Sequence, residues 1–298
     1  MTTAIVERTI TAFLDGEDSL EINNIIHSTA GAARFGYSGP LVGGTTVYSW
    51  SAAALVEALG DAWLDEGWVE FQLRKPVYPG EVITTRVDIP PPVPRGGDAE
   101  SSHSLPPLGG DAEGRGGPPA VEFTMTKQTG DIAVRGTAGL GIANFLTEIT
   151  TAADRTPVPQ PEDRPFITRA LAPLGEDLPA MAIELSSVNA EIYADEKASD
   201  LNPRWRGADG RVHPGWIAQR ANALLAHTWR YTAIHASSQI QHLAPVHPDQ
   251  RLLVSGRLAS GYERKGHEYA VIDLTITSED GRDLVRMRQP TIYQVAAR

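Results

Sequence analysis

Residues 195–229 read DEKASDLNPRWRGADGRVHPGWIAQRANALLAHTW, and the order of signals within them decides the fold. The residues up to Ser199, passing through Tyr193-Ala194, read as the end of a helix that begins near Ser187. Asp200-Leu201-Asn202-Pro203 is a tight polar turn. Asp and Asn side chains bond the backbone two residues on, and proline cannot continue a helix. After a glycine-bearing loop, Val212-His213-Pro214-Gly215 opens a long apolar helix that runs to Trp229. Pro214 sits in the first turn, where the missing N–H would have had no partner anyway.

The same order occurs earlier in the chain. Asn24-Ile25-Ile26-His27 forms a polar turn, and Val42-Gly43-Gly44 precedes a second Ala-rich helix over Thr45–Leu64. Its apolar residues Val47, Trp50, Ala54, Leu55, Ala58 and Leu59 fall at helical spacing. Helices this apolar belong inside a protein. Strands follow each of them. In the first half, alternation marks 70–75, 81–89, 120–128 and 132–140. In the second half it marks 235–243, 251–259, 267–277 and 283–295. Residues 1–20 form a short amphipathic lead-in, helix or strand.

The turns between these strands also match. Pro76-Val77-Tyr78-Pro79-Gly80 corresponds to Pro245-Val246-His247-Pro248-Asp249. Thr129-Gly130-Asp131 with Val134-Arg135 corresponds to Glu279-Asp280-Gly281 with Val285-Arg286. The offset is near 170 residues for the helix start and the first turn, then about 150 for the last. Only the first half carries residues 90–119, which are half Pro and Gly and contain GGDAE twice. Such a stretch cannot pack a core and reads as a solvated insertion. The Pro-rich connector 156–165 is the better boundary, giving an N-terminal domain over 1–155 and a C-terminal domain over 165–298.

An apolar helix followed by antiparallel strands needs its sheet wrapped around it. The fold class is therefore α+β: a double hot-dog, two curved antiparallel sheets each around a central helix. Joining them edge to edge as a pseudo-dimer pairs the sheet edge that a single copy would leave open.

Composition excludes several functions. The 298 residues carry a formal net charge of −11 and a pI near 5.2, which argues against nucleic-acid binding. With no cysteine there is no disulfide, no thiolate nucleophile and no Cys-ligated metal. His235, His242 and His247 are too widely spaced for a metal site, and strand alternation would scatter them. No phosphate-binding loop or nucleophile elbow occurs. Asp61, Asp65 and Glu66 read as a solvated face, and Arg264-Lys265 as a hairpin turn. The N-terminus lacks the charged and apolar regions of a signal peptide, so a cytoplasmic protein without membrane partners is expected.

Residues 193–205, YADEKASDLNPRW, resemble the signature of the MaoC-like, (R)-specific enoyl-CoA hydratases. There a helix ending in Tyr-Ala runs into Asp-x-Asn-Pro-x-His. The VHPG at 212–215 and the closing run GHEYAVIDLTITSEDGRDLVRMRQPTIYQV are similar to that family too. The resemblance spans nearly the whole chain. It implies a small-molecule acyl thioester as ligand, usually of coenzyme A, and reversible hydration or dehydration as the chemistry; no cofactor or metal is expected. In the second half Asp200 and Asn202 match the signature, but Trp205 stands at its His position. In the first half Asn24 and His27 match, but Ile22 stands at its Asp position. Each half keeps one member of the Asp/His pair.

Hydrating a conjugated thioester needs a base for water, an acid for the α-carbon and donors for the enolate oxygen. His27 and Asp200 are the candidate catalytic residues; whether they share a site is open. The candidate substrate contacts are Asn24, Tyr37, Gly43, Gly44, Asn202, His213 and Gly215. The glycines at the helix starts would let an acyl carbonyl approach the backbone N–H groups. His27 has a structural alternative as a half-buried histidine of a polar turn, Asp200, Asn24 and Asn202 as turn braces, and His213 as a polar residue at a helix start. Two other functions remain open: a hot-dog protein that binds an acyl or hydrophobic group without hydrating it, and a thioesterase or cyclase on the same scaffold. A homodimer is open to the chain as well.

Overall fold

The computed structural model describes residues 4–14, 16, 24–91 and 120–296. Ile22 and residues 92–119 of the Pro/Gly stretch lie outside them. The first half comprises β1 (Ala4–Thr11), α1 (Thr29–Arg34), α2 (Gly44–Ser49), α3 (Ala52–Leu59), α4 (Ala62–Glu66), β2 (Gly67–Leu73), β3 (Val82–Ile89), β4 (Val121–Lys127) and β5 (Ile132–Leu140). The second comprises β6 (Asp177–Leu185), α5 (Ser187–Ile192), α6 (Pro214–Ala218), α7 (Arg220–Thr228), β7 (Ile234–His235), β8 (Ser237–His242), β9 (Gln250–Arg264), β10 (His267–Ser278) and β11 (Asp283–Gln294).

These strands form one continuous sheet in the order β1-β3-β4-β5-β2-β8-β11-β10-β9-β6, with β7 added beside β11. The order is a mirror. Reading β6, β9, β10, β11 and β8 for β1, β3, β4, β5 and β2, the second half repeats the first backwards. The two copies meet where β2 pairs antiparallel with β8, from Trp68 opposite Gln241 to Gln72 opposite Ser237. That pairing removes the open edge each copy would otherwise expose. The edges that remain are β1, mostly exposed and carrying Glu7 and Arg8, and β6.

Strand β6 carries no clear sequence signal. Its Pro179 interrupts the alternation, and the pairing with β9 shifts register between Leu178 and Met181. An edge strand tolerates a proline that a central strand would not.

The central helices are broken, where the sequence pattern suggests continuous ones. The run expected over Thr45–Leu64 is α2, α3 and α4, with Gly60 in the left-handed region (φ +78°) ending α3. The Ser49 hydroxyl donates to Thr46 O at 2.6 Å and that of Ser51 to Tyr48 O at 2.7 Å. Such back-bonding competes with the helix ladder and favours the break between α2 and α3. In the second half α6 and α7 break at the corresponding place, Gln219.

Ala54 and Leu55 of α3, and Ala221, Leu224 and Leu225 of α7, are fully buried beneath the sheet. Each such leucine contributes about 1.5–3 kcal/mol of burial. The end of α2 touches the start of α6 across the junction. A Cβ added to Gly215 would lie 2.3 Å from Ser49 Cβ, so only glycine fits this close approach. Among the described residues no helix is long and apolar enough to cross a membrane.

Candidate functional site

A cavity of about 460 Å3 lies between the polar turn of the first half and α7 of the second. It gathers Asn24, His27, Tyr37, Gly43 and Gly44 from the expected site. It does not include Asp200, Asn202, His213 or Gly215, so His27 and Asp200 do not line one site. The second half instead contributes residues the sequence reading did not select, notably Arg220, Tyr231 and His235. Among the described residues no Asp or Glu lines the cavity.

His27 is half-buried and its protonation pattern is fixed by its neighbours. Nδ1 lies 2.7 Å from Leu41 O, which can only accept, so Nδ1 carries the proton. Nε2 therefore holds a lone pair and accepts from Asn24 Nδ2 at 3.3 Å. The other proton of that amide goes to Ala233 O at 2.7 Å, which settles which way the amide faces. Asn24 thus links the first half's turn to the second half's chain. His235 has the opposite tautomer. Its Nε2 meets Ser237 O at 3.0 Å and Ser238 Oγ at 2.8 Å, leaving Nδ1 buried without a partner. Burial pulls its pKa down to about 4, so the ring is neutral. Gly44 serves packing: an added Cβ would meet Leu73 Cδ1 at 2.6 Å and His235 Cβ at 2.9 Å. The space the sequence reading reserved for an acyl carbonyl is occupied by protein at this glycine.

In the second half the same main-chain frame holds different side chains. Leu41 N bonds Ile26 O, as Arg211 N bonds Arg204 O; Val42 N bonds Val77 O, as Val212 N bonds Val246 O. His27 N bonds Asn24 O, as Trp205 N bonds Asn202 O. Trp205 therefore stands in the place of His27, and His213 in that of Gly43. Both are only 1% exposed, and their rings pack at 4.7 Å.

The remaining expected residues have structural work there. Asn202 is exposed and its Oδ1 accepts from Arg204 N at 3.1 Å; Asp200 Oδ1 accepts from Asn202 N at 3.1 Å. His213 Nδ1 accepts from Gly215 N at 3.1 Å and caps α6. Its Nε2 is 3.9 Å from Asp200 Oδ2, too far for a hydrogen bond. Burial pulls the His213 pKa down to about 3, so this contact joins a neutral ring to the carboxyl group and is no ion pair. Space beside Gly215 is filled by Ser49 and by the Tyr193 hydroxyl.

The cavity's second-half residues left few sequence cues. Arg220 alone had one: it stands on the buried face set by Ile217, Ala221 and Leu224, where helical spacing calls for an apolar residue.

Two helix-and-sheet copies sharing one sheet, with a cavity built from both, define a double hot-dog protein. No protein-family model and no curated protein matches the sequence. Solved structures of the same fold superpose on the chain. One described as a MaoC domain protein dehydratase from Chloroflexus aurantiacus J-10-fl superposes with a TM-score of 0.61 at 10% identity, over 99% of this chain and 96% of that one. A Mycobacterium tuberculosis protein described as having a double hotdog fold gives 0.52 at 14% identity, over 88% and 84%. One described as an oleoyl thioesterase (putative) from Lactobacillus plantarum gives 0.51 at 9% identity, over 98% and 96%.

Proposed function

We propose that the protein is a MaoC-like hydro-lyase that adds water to, or removes it from, the double bond of a conjugated acyl thioester, with coenzyme A as the carrier. The observation that carries this reading is His27: a half-buried imidazole on the cavity wall, with its tautomer set by the Leu41 carbonyl and Nε2 in the basic form. In the hydration direction water displaces the Asn24 amide, 3.3 Å away, from Nε2, and Nε2 takes a proton from that water as its oxygen bonds the β-carbon. The π electrons move toward the α-carbon and the thioester oxygen. The imidazolium then returns its proton to the α-carbon, so one residue serves as base and acid. Asn24 braces the His27 ring through its amide and ties it to Ala233 O of the second half. Arg74 and Lys75 are exposed where they border the cavity and fit the carrier's phosphates at its mouth.

Crotonyl-CoA and longer enoyl-CoAs should lose their enoyl absorbance with the wild-type protein and not with His27→Gln. Undiminished turnover in a folded His27→Gln variant would sink the reading. The lack of a carboxylate on the cavity wall among the described residues favours a second one, a protein that binds the acyl group without hydrating it or that releases the thiol. Release of free CoA from a saturated acyl-CoA, or tight binding without either reaction, distinguishes these.

A further inference from the structure

Arg220 is a buried cation whose contacts contain no anion. It lies on α7 with 8% of its surface exposed and lines the cavity. Nε donates to Trp216 O at 2.9 Å, and Nη2 to Gln219 Oε1 at 2.9 Å. The guanidinium lies 3.8 Å over the Trp216 ring. These partners are neutral, and among the described residues no carboxylate pairs with it. Three partly buried arginines elsewhere are matched: Arg211 with Asp65, Arg286 with Asp283, Arg288 with Asp273. A guanidinium has five N–H donors, and the two acceptors leave the Nη1 pair and one Nη2 proton unused.

Burying a charge without a counter-ion is unfavourable, and burial pulls the Arg220 pKa down to about 10. A methionine or leucine would pack the same helix face without that cost. We infer that Arg220 binds a carboxylate at the far end of the substrate's acyl chain, so that the preferred substrate is a dicarboxylic acid held as its mono-thioester. A planar fork of paired N–H donors matches a carboxylate in two parallel bonds. The carrier's phosphates have the exposed Arg74 and Lys75 available at the mouth; Arg220 is set back in the wall, where the acyl group goes. This rests on the reading of the cavity as an acyl-thioester site.

The test separates the two. Binding of succinyl-CoA and butyryl-CoA, which are alike in shape and differ in the terminal carboxylate, is measured by calorimetry on the wild type, Arg220→Gln and Arg220→Lys. Hydration of fumaryl-CoA and crotonyl-CoA is followed in parallel. Wild-type protein should bind succinyl-CoA at least tenfold more tightly than butyryl-CoA. Arg220→Gln should lose that preference, and Arg220→Lys should keep part of it. Equal or weaker binding of succinyl-CoA by the wild type overturns the inference even if neither variant folds, as does an unchanged preference in Arg220→Gln. Preference for succinyl-CoA without hydration of either enoyl-CoA sinks the hydro-lyase reading and leaves the role of Arg220 standing. Hydration of both enoyl-CoAs with no preference does the reverse.

Discussion

His27 and Trp205 occupy equivalent places in the two halves, each bonded through its backbone N–H to the carbonyl of an asparagine three residues earlier, Asn24 or Asn202. The side chains could hardly differ more. One is a half-buried imidazole on a cavity wall; the other is an indole sealed to 1% exposure against His213. Duplication supplied two frames of the same shape. In the first, Gly43 leaves room beside the imidazole. In the second, His213 stands at the glycine's place and its ring, with Trp205, fills the interior.

This asymmetry gives the first prediction. Trp205→Ala removes a large fully buried side chain and should cost about 3–5 kcal/mol of stability, read as a shift of the urea midpoint. Trp205→Phe should cost far less, because it also removes an indole N–H that is buried with no partner. Folded protein of either variant should keep its turnover. A loss of turnover without unfolding would mean that the second half's interior takes part in the reaction.

The second concerns the contact between the two central helices. Gly215→Ala places a methyl 2.3 Å from Ser49 Cβ and 2.7 Å from the Tyr193 hydroxyl, and should destabilise by about 1–3 kcal/mol. Ser49→Gly removes one of the colliding atoms. The double variant should therefore be more stable than the two single effects added together. Strict additivity would show that the helices are not pressed together at this point.

How far the chain could be read in advance follows from what each feature depends on. Apolar helices and turn chemistry are local, so residues 214–229 and the matched turns at 76–80 and 245–249 revealed the duplication. The shared sheet followed from the need to pair an edge. Strand β6 was not legible because Pro179 breaks its alternation. The breaks at Trp50-Ser51 and Gln219 depend on serine back-bonds and on packing across the junction. Which half holds open space depended on whether Trp205 and His213 point inward, and no local pattern states that. Asp200 looked catalytic because the signature places it beside a histidine, yet it closes its own turn and faces a capping ring.

A third prediction tests the tie between Thr150, beyond β5 of the first half, and the second half's sheet. Asp273 is fully buried in β10 and accepts from Thr150 N at 2.8 Å, Thr150 Oγ1 at 2.7 Å, and Arg288 Nε and Nη2 at 2.7 and 2.9 Å. Asp273→Ala strips Arg288 of its buried counter-ion, leaving only the exposed Glu148 at 3.4 Å, and leaves the Thr150 N–H unpaired. The expected loss is about 3–5 kcal/mol. Arg288→Met/Asp273→Leu should recover a large part of it, since an apolar pair leaves no buried charge behind. A double variant no more stable than Asp273→Ala alone would refute this account.

The last prediction concerns acid. His213, His235 and His242 are buried, and burial lowers their pKa values from the ordinary 6.5 to about 3, 4 and 4. Above about pH 6.5 these histidines are neutral in both the folded and the unfolded chain, and the stability they contribute is fully present. As pH falls toward their folded values, the unfolded chain takes up protons that the folded protein refuses. Stability should then be lost through the window from about pH 6.5 to 4, by up to about 1.4 kcal/mol per pH unit for each histidine. His213 meets Trp205, Tyr193 and the Asp200 carboxyl group, and none of them bonds its Nε2. His213→Asn keeps an acceptor at the start of α6 while removing the titration. Its stability should fall less steeply with acid than the wild type's in urea titrations at pH 7, 6, 5 and 4. Identical slopes would show that His213 takes up its proton in the folded state, and that the interior around Trp205 is open to water.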